Sequence, residues 1–347
     1  MRFALLPLCA IFRCAIGAQK LTLFVSLCAV ALAFVPIDRK SALETLTGQD
    51  LVDYVNFVQS EFTIEHVDVT EEEMKVRLMD GKYAAPHSDE IRFTERNVVL
   101  SPLPEKFDAR SKWHKCKSIK LIRDQTSCRS CWAFGAAEVI SDRTCIETNG
   151  EQQPIISPTD ILSCCGSSCG NGCDGGYVIE ALKWWNSEGV VTGGDYYGYG
   201  CKPYPIPPCT TKTCTVSETP SCSSSCRFWY FGKYSKDKHF GSSAYAISTN
   251  VSAIQTEIYT NGPVAASFSV YEDFYKYKSG VYKHTAGEYI GGHAIKIIGW
   301  GTENGSPYWL AANSWGVHWG EAGFFKIYRG DNQCGIESAV VAGKARV

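Results

Sequence analysis

The sequence predicts an α+β protein with two lobes, one helical and one built from strands, and a cleft between them. A helix is predicted from Ser130 to about Asn149, where Gly150 ends it. Beyond residue 260 the pattern changes to short β-rich segments bounded by glycines. Helices and strands that separate into two halves of a 347-residue chain favour packed layers with a binding cleft at their boundary.

The first 33 residues are predicted to be a signal peptide. Leu21 to Val35 is an apolar run of signal-peptide length after Lys20, and Ala31-Leu32-Ala33 fits a cleavage site. A second apolar run, Phe3 to Gly17, leaves a signal anchor open as the alternative. Neither run alone reaches the ~20 apolar residues of a spanning helix, so no stable membrane span is expected.

Residues 34–102 contain no cysteine and are predicted to form a detachable segment. One amphipathic helix is expected, opened by the capping-box pattern Ser41-x-x-Glu44 and continued by apolar residues at helical spacing. An acidic patch follows at Glu71-Glu72-Glu73, and Ser101-Pro102-Leu103-Pro104 has the composition of an exposed linker. The body of the protein is therefore expected to span residues 103–347.

The body is predicted to divide into a mainly helical part, about 103–250, and a mainly β part, about 251–347. Residues 163–176 and 193–227 are rich in Cys, Gly, Pro and Ser, which predicts long cross-linked loops in the first part. Strands are predicted in the second part at Val264–Val270, Ala294–Trp300, Tyr308–Ala312 and Gly323–Tyr328.

The composition narrows the function. The 34 basic and 36 acidic residues nearly balance, so no basic field for nucleic acid is present. All but three of the 17 cysteines lie at or after Cys116, a density that predicts a disulfide framework and an oxidising, secretory compartment. Zinc is the alternative, because Cys164, Cys165, Cys169 and Cys173 are closely spaced, but they lack the paired spacing and partner histidines of zinc sites. No metal and no cofactor are predicted.

Four residues form a candidate catalytic set. Cys131 opens the predicted helix, where the positive end of the helix dipole favours a thiolate, and Gln125 upstream offers an amide donor for an oxyanion. His293 follows two glycines at the start of a strand and offers a base, and Asn313 offers an acceptor that orients the imidazole. Taken singly, such a histidine is more often structural and such an asparagine a turn former. Their occurrence together favours acyl transfer.

Several motifs resemble those of the papain-like cysteine peptidases, and within them the cathepsin B group. The motifs are Phe107-Asp108-Ala109-Arg110, CWAF at 131–134, CCGSSCGNGCDGGY at 164–177, GGHAIKIIGWG at 291–301, PYWLAANSWGVHWG at 307–320 and Cys334-Gly335-Ile336-Glu337-Ser338. The resemblance covers Leu103 to Val347 and a short propeptide. It implies a papain-like fold, with a helical lobe and a β-barrel-like lobe, and a zymogen whose propeptide, 34–102, inhibits the peptidase.

The resemblance also implies roles for matching residues. Cys131 would be the nucleophile and His293 the general base and acid. Asn313 would orient the imidazole, and Gln125 would form the oxyanion hole with the Cys131 N–H. Gly175 and Gly176 would pair with the substrate main chain, whereas a pocket for the second residue before the scissile bond would be lined by Tyr177, Val178, Ala294 and Ala339. Trp315 would shield the contact between imidazole and amide. The implied disulfides are Cys116–Cys145, Cys128–Cys173, Cys164–Cys222, Cys165–Cys169, Cys201–Cys226 and Cys209–Cys214.

The resemblance further implies the partners and the location. Protein and peptide substrates, the chain's own propeptide and cystatin-type inhibitors are the expected partners of a monomeric enzyme. The secretory pathway is its expected route, ending in a lysosome or in the extracellular space, which includes a digestive lumen.

Three departures from the cathepsin B pattern change these expectations. The loop from Cys209 to Cys214 has no histidine where cathepsin B carries two, so we expect endopeptidase activity with weak dipeptidyl carboxypeptidase activity. Ala339 replaces an acidic residue at the pocket floor, which predicts a preference for bulky apolar residues over Arg.

The third departure is that Arg129 and Thr126 replace two glycines. Arg129 is expected either to point to solvent and narrow the cleft or to favour the Cys131 thiolate with its charge. A left-handed backbone at Arg129 would cost ~1 kcal/mol. These two residues are also the only features that favour the competing interpretation, a catalytically impaired homologue that acts as a binding protein.

Overall fold

The computed structural model describes residues 43–86, 102–209 and 214–347, all within the unit Arg39–Val347. The predicted signal peptide, 1–33, lies outside the described residues, and so does Ser41 of the predicted capping box. Residues 43–86 are called the N-terminal segment below, and residues 102–347 the body.

The N-terminal segment packs on the body through short elements. They are helix α1 (Gly48–Val58), strand β1 (Phe62–Ile64) and helix α2 (Glu71–Lys75). Helix α1 buries Leu51 and Val55, as its apolar spacing predicts. A capping box opens α2, where the Glu73 N–H donates to Thr70 Oγ1 at 3.2 Å and the Thr70 N–H donates to Glu73 Oε2 at 2.7 Å.

The longest helix of the body is buried along nearly its whole length. The helices of the body are α3 (Ala109–Lys112), α4 (Cys131–Glu147), α5 (Pro158–Cys164), α6 (Val178–Glu188), α7 (Val251–Asn261) and α8 (Glu272–Tyr275). Every residue of α4 from Cys131 to Cys145 is buried. The chain turns at Gly150, whose φ of 88° is readily adopted only by glycine. Within the described residues, no helix is both long and apolar enough to cross a membrane.

One sheet runs through the body and takes its edge strand β1 from the N-terminal segment. The strands of the body are β2 (Phe107–Asp108), β3 (Gly241–Ala246), β4 (Val264–Tyr271), β5 (Tyr277–Tyr282), β6 (Tyr289–Glu303), β7 (Ser306–Ala312), β8 (Phe324–Tyr328) and β9 (Ala339–Ala345). The order is β1-β5-β8-β7-β6-β4-β9-β3, with β2 paired to β6. Strands β1 and β3 end this order without pairing to each other, so the β lobe is an open sheet rather than the barrel-like structure that was expected.

The predicted α+β composition is confirmed, and the four predicted strands correspond to β4, β6, β7 and β8. Strand β6 is longer than predicted because it begins at Tyr289, before the glycines that precede His293. Strands β3, β5 and β9 were not predicted, since GSSAYA, YKSGVY and AVVAGKA mix small and polar residues without clear alternation. Strands β2 and β3 precede residue 251 and still join the sheet, so the chain crosses between the two lobes. The predicted division of the body near residue 250 stays a prediction.

Six disulfides cross-link the described residues, and they are the pairs that the resemblance implies. Cys128–Cys173 fixes the loop immediately before α4, and Cys116–Cys145 ties down the other end of that helix. Cys131 and Cys334 are free. The remaining pairs staple the long loops of the helical part and are Cys164–Cys222, Cys165–Cys169, Cys201–Cys226 and Cys209–Cys214.

Two buried carboxylates share one ammonium group between α4 and β6. Lys296 Nζ lies 2.9 Å from Asp142 Oδ2 and 3.5 Å from Glu138 Oε2. Burial raises the pKa of Glu138 to about 7, and the Lys296 ammonium only partly opposes this effect. Because one ammonium balances one carboxylate, the second carboxyl group retains its proton more readily.

Replacement of Glu138 by Gln is expected to change how stability depends on pH. The Glu138 pKa rises from 4.5 to about 7 on folding. The stabilisation of the folded state that results from this shift is therefore fully present below pH 4.5 and is lost as the pH rises through about 7. Glu138→Gln should therefore resemble the parent protein in acid and be the more stable protein above pH 7. Thermal unfolding in a Cys131→Ser background, which prevents self-cleavage, measures the difference.

Glu257→Gln is the matched control with the opposite sign. Burial alone would raise the Glu257 pKa, but Arg143 Nη2 at 2.9 Å holds it below its ordinary value. The contribution of Glu257 is therefore present at neutral pH and is lost as the pH falls through its folded pKa. Glu257→Gln should cost most stability at neutral pH, and the same pH trend in both variants would contradict the assignment for Glu138.

Candidate active site

The Cys131 thiol lies at the N-terminus of α4 and is fully buried. The preceding residue, Ser130, is held by a 2.9 Å hydrogen bond between its hydroxyl and that of Tyr204. Burial raises the pKa of Cys131 to about 12, against backbone N–H groups of Ala294, Trp132 and Met79 that favour the thiolate. The helix terminus therefore offers donors that lower the pKa of the thiol. In this structure its removal from water raises that pKa by more than the donors lower it.

His293 lies on β6 and is oriented by Asn313. The His293 Nε2 and Asn313 Oδ1 atoms are 2.7 Å apart, and the Trp315 ring centroid lies 4.7 Å from the imidazole centroid. Nothing among the described residues hydrogen bonds His293 Nδ1. Ala294, the next residue, directs its backbone N–H at the Cys131 thiol, so strand β6 runs beside the sulfur.

The imidazole is held neutral in this structure. Burial lowers the pKa of His293 to about 4, although the hydrogen bond with Asn313 opposes the shift. Since the Cys131 pKa is raised to about 12, both groups are uncharged over a wide pH range. A thiolate–imidazolium pair is therefore disfavoured while the site remains covered.

Three contacts fix the side-chain amide of Gln125. Its Nε2 donates to the Cys128 carbonyl at 2.8 Å, while its Oε1 accepts from the Ser314 hydroxyl at 2.8 Å. Nε2 also donates to the carbonyl of Arg77, in the N-terminal segment, at 2.9 Å. Ser314 was not predicted as a site residue, because only the fold brings its hydroxyl next to Gln125.

The N-terminal segment covers this site by pairing with β6. The Met79 N–H donates to the Gly292 carbonyl at 2.9 Å, and the Gly292 N–H donates to the Met79 carbonyl at 2.8 Å. Gly175 lies under the same segment, because a Cβ atom on it would meet the Tyr83 ring at 2.5 Å. Gly176 has no such space either, since its Cβ would lie 2.6 Å from the Cys169 carbonyl. The main chain of the segment therefore pairs with Gly292, and the Asp80 N–H also approaches the Asp174 carbonyl, next to Gly175, at 3.4 Å. Pairing of Gly175 and Gly176 with a substrate stays a prediction.

The end of the N-terminal segment closes a pocket on the body. Tyr83, Ala85 and Pro86 form one wall, and the Tyr83 and Tyr177 ring centroids are 4.9 Å apart. The predicted residues Tyr177, Val178 and Ala339 line the pocket, whereas Ala294 contributes its backbone N–H to the thiol instead. The pocket residues of the body are Tyr177, Val178, Ile179, Ala246, Ser267, Ser338, Ala339, Val340 and Val341.

Arg129 contacts the N-terminal segment rather than the thiol. Its Nε donates to the Lys75 carbonyl at 3.1 Å. The left-handed backbone that was considered for Arg129 is found instead at Thr126, with φ of 53°. The Thr126 N–H donates to Asp124 Oδ1 at 2.8 Å, which helps to hold this unfavourable conformation beside Gln125.

The chain is similar to known cysteine proteinases along most of its length. A family profile described as "Papain family cysteine protease" matches residues 103–344. The chain is 74% identical over 329 residues to the "Gut-specific cysteine proteinase" of Caenorhabditis elegans, an alignment that covers 95% of this chain and 100% of that protein. It is 59% identical over 305 residues to "Cathepsin B-like cysteine proteinase 3" of the same organism, covering 86% of this chain and 82% of that protein.

Solved structures resemble both the body and the N-terminal segment. Procathepsin B S9 from Trypanosoma congolense superposes with a TM-score of 0.74 at 36% identity, over 88% of this chain and 100% of that chain. Digestive procathepsin L 3 from the larval midgut of Tenebrio molitor has a TM-score of 0.61 over 84% of this chain and 86% of that chain. At 21% identity, the second similarity shows a shared fold only.

Replacement of Arg129 by Gly is expected to expose the thiol more often. The charge-assisted bond to the Lys75 carbonyl is worth about 1–2 kcal/mol at a half-buried position, so the N-terminal segment should open roughly five- to thirtyfold more frequently. Alkylation of Cys131 in the full-length protein, followed by peptide mass analysis, measures this opening. Arg110→Gly, which removes an ion pair with Asp108 inside the body, is the control and should leave the rate unchanged. An unchanged rate in Arg129→Gly would show that Arg129 does not hold the segment.

Proposed function

The chain belongs to the papain family of cysteine proteases, and from this premise we propose that it is made as a zymogen and acts as a cathepsin B-like endopeptidase. The site residues support acyl transfer in two steps. Cys131 sulfur attacks the substrate carbonyl carbon while His293 takes the thiol proton. His293 then gives that proton to the departing amine, which leaves a thioester on Cys131.

Water completes the reaction at the thioester. His293 removes a proton from the water, the resulting oxygen nucleophile attacks the carbonyl carbon, and the thiolate leaves with the proton returning to the Cys131–His293 pair. In each tetrahedral intermediate the negative oxygen would accept hydrogen bonds from Gln125 Nε2 and the Cys131 N–H. Asn313 orients the imidazole in both steps.

One contact supports this assignment above the others. Gln125 Nε2 donates at 2.9 Å to a peptide carbonyl, that of Arg77, two residues before Met79, whose N–H faces the buried thiol. The amide therefore already binds the type of oxygen that a substrate would present. Because Cys128 and Ser314 fix the amide, little reorganisation is needed when the oxygen becomes charged.

The N-terminal segment has the geometry of an inhibitory propeptide. Arg77 lies at the amide of Gln125, and Tyr83, which follows it in sequence, lies at the pocket. In a substrate, the residue that enters this pocket precedes the scissile bond. The segment therefore crosses the cleft in the opposite direction, which places no peptide bond correctly for attack.

Release of the propeptide in acid needs carboxylates that hold it to the body. Glu71 pairs with Lys75, and Glu73 caps Thr70, so the acidic patch makes contacts inside the propeptide and does not hold it to the body. Glu65 is a better candidate because its Oε1 lies 2.9 Å from Lys278 Nζ. Glu65→Gln would remove that attraction across the boundary.

Two departures from the cathepsin B pattern, one in a loop and one at Ala339, support the proposed substrate profile. The loop between Cys209 and Cys214 lacks histidine, and its residues 210–213 lie outside the described residues. The loop offers a terminal carboxylate no histidine, and Lys212 is the cationic residue that could replace one. Because the two histidines are missing, we propose that endopeptidase cleavage dominates. Stepwise loss of C-terminal dipeptides from a peptide ladder would contradict this.

The location and the remaining partners follow from the same premise. The 74% identical relative is named gut-specific, which supports passage through the secretory pathway to a lysosome or a digestive lumen. The monomeric state and binding of cystatin-type inhibitors stay predictions. The competing interpretation, a binding protein without activity, loses support because Arg129 contacts the propeptide.

Covalent labelling tests the proposed function. After acid removal of the propeptide, an epoxide inhibitor of cysteine peptidases should alkylate Cys131 stoichiometrically and stop peptide hydrolysis. The full-length protein should resist labelling because the thiol is buried. Cys131→Ser is the control and should be neither labelled nor active. Absence of both labelling and hydrolysis in the processed parent protein would favour the binding-protein interpretation.

Ala339→Glu is expected to change the pocket preference. The parent pocket is lined mainly by apolar groups and should favour bulky apolar residues at the second position before the scissile bond. A carboxylate there gives an Arg side chain a charged partner, so kcat/KM for an Arg substrate should rise at least about tenfold. Ala339→Gln, which has the same shape without the charge, is the control. An equal gain in both variants would assign the effect to shape.

A further inference from the structure

Large aromatic side chains are exposed on two loops outside the catalytic set and the pocket. Tyr197 and Tyr199 are 88% and 75% exposed, and Phe228, Trp229 and Phe231 are 86%, 72% and 99% exposed. Single exposed aromatic residues are ordinary, but five on two joined loops form a surface that usually has a binding partner. These five residues are called the aromatic surface.

The two loops are joined covalently and by hydrogen bonds. The Cys201–Cys226 disulfide connects them, and the Arg227 N–H donates to the Cys201 carbonyl at 2.8 Å. Arg227 Nη1 also donates to the Gly198 carbonyl at 2.9 Å, and the rings of Tyr199 and Tyr230 lie 5.8 Å apart. The aromatic surface is therefore formed before any partner binds, which lowers the entropy cost of binding.

The charge beside the aromatic surface is positive. Arg227, Lys233 and Lys236 are exposed, and no acidic residue lies between residues 219 and 236. Arg227 and Lys233 line a shallow depression together with serine and tyrosine hydroxyl groups. The carboxylates that flank these loops already have partners: Asp237 accepts from the Thr192 N–H at 2.7 Å, and Asp195 accepts from Arg123 Nε at 2.7 Å.

We propose that the aromatic surface docks on the headgroup region of an anionic lipid bilayer. Aromatic rings partition favourably to that interface, and basic residues beside them are attracted to phosphate and carboxylate headgroups. A neutral glycan would use the rings without needing the cations, so the combination favours a lipid surface. Docking would hold the protein at a membrane without a spanning helix, and it does not depend on the proposed peptidase activity.

Vesicle binding by the full-length protein in a Cys131→Ser background tests the proposal. The protein should co-sediment with vesicles of phosphatidylcholine and phosphatidylserine, bind phosphatidylcholine alone more weakly, and dissociate as salt is raised. Lys233→Gln/Lys236→Gln should weaken binding to the anionic vesicles by more than about tenfold, because each cation contributes roughly fivefold. Phe228→Ser/Phe231→Ser should weaken binding to both kinds of vesicle.

Matched variants separate the aromatic surface from general effects. Phe57→Ser removes an aromatic residue that is 88% exposed on α1, and Lys115→Gln/Lys120→Gln removes two exposed cations elsewhere on the body. Both controls should bind vesicles like the parent protein. Equal binding by all variants, or no binding to any vesicle, would overturn the proposal. If no vesicle is bound but a glycan or a protein is captured through the same aromatic residues, the proposal is likewise overturned.

Discussion

The packing of helix α4 against strand β6 is the constraint on which the active site depends. The helix begins at Cys131 and the strand carries His293, so a slip of one element along the other would separate the thiol from the imidazole. Gly135 faces the strand, since a Cβ atom there would lie 3.8 Å from the Ala294 Cβ, an ordinary van der Waals distance. Lys296 adds a polar link by pairing with Asp142 on the helix at 2.9 Å. The buried ion pair has one geometry and so opposes such a slip.

The same helix terminus has two electrostatic states. With Met79 over it, the site excludes water, and burial keeps the thiol and the imidazole neutral. When the N-terminal segment leaves, water can solvate a Cys131 thiolate and a His293 imidazolium. The backbone N–H groups at the start of α4 then favour the thiolate. Inhibition therefore acts on the charge state of Cys131 as well as on access to it.

The sequence was sufficient for the features that rest on local chemistry or on matching motifs. The helix at Cys131, the strands around His293 and the family were all predicted, because each has a strong pattern. The open sheet was not predicted, since closure depends on which edge strands meet, and β1 comes from a distant segment. The contact between Arg129 and Lys75 could not be predicted from the sequence either, because residues far apart in sequence meet only through the fold.

The end of the N-terminal segment fills the pocket that contains Ala339, and this has an evolutionary consequence. Tyr83 must fit the walls of this pocket, which is the proposed site for a substrate side chain. A lineage that reshapes those walls for a new diet or a new protein target would release its own inhibitor unless Tyr83 changed with them. Substrate preference and inhibition by the propeptide would therefore change together. The propeptide of one enzyme should inhibit a second enzyme best when the pockets of the two enzymes differ least.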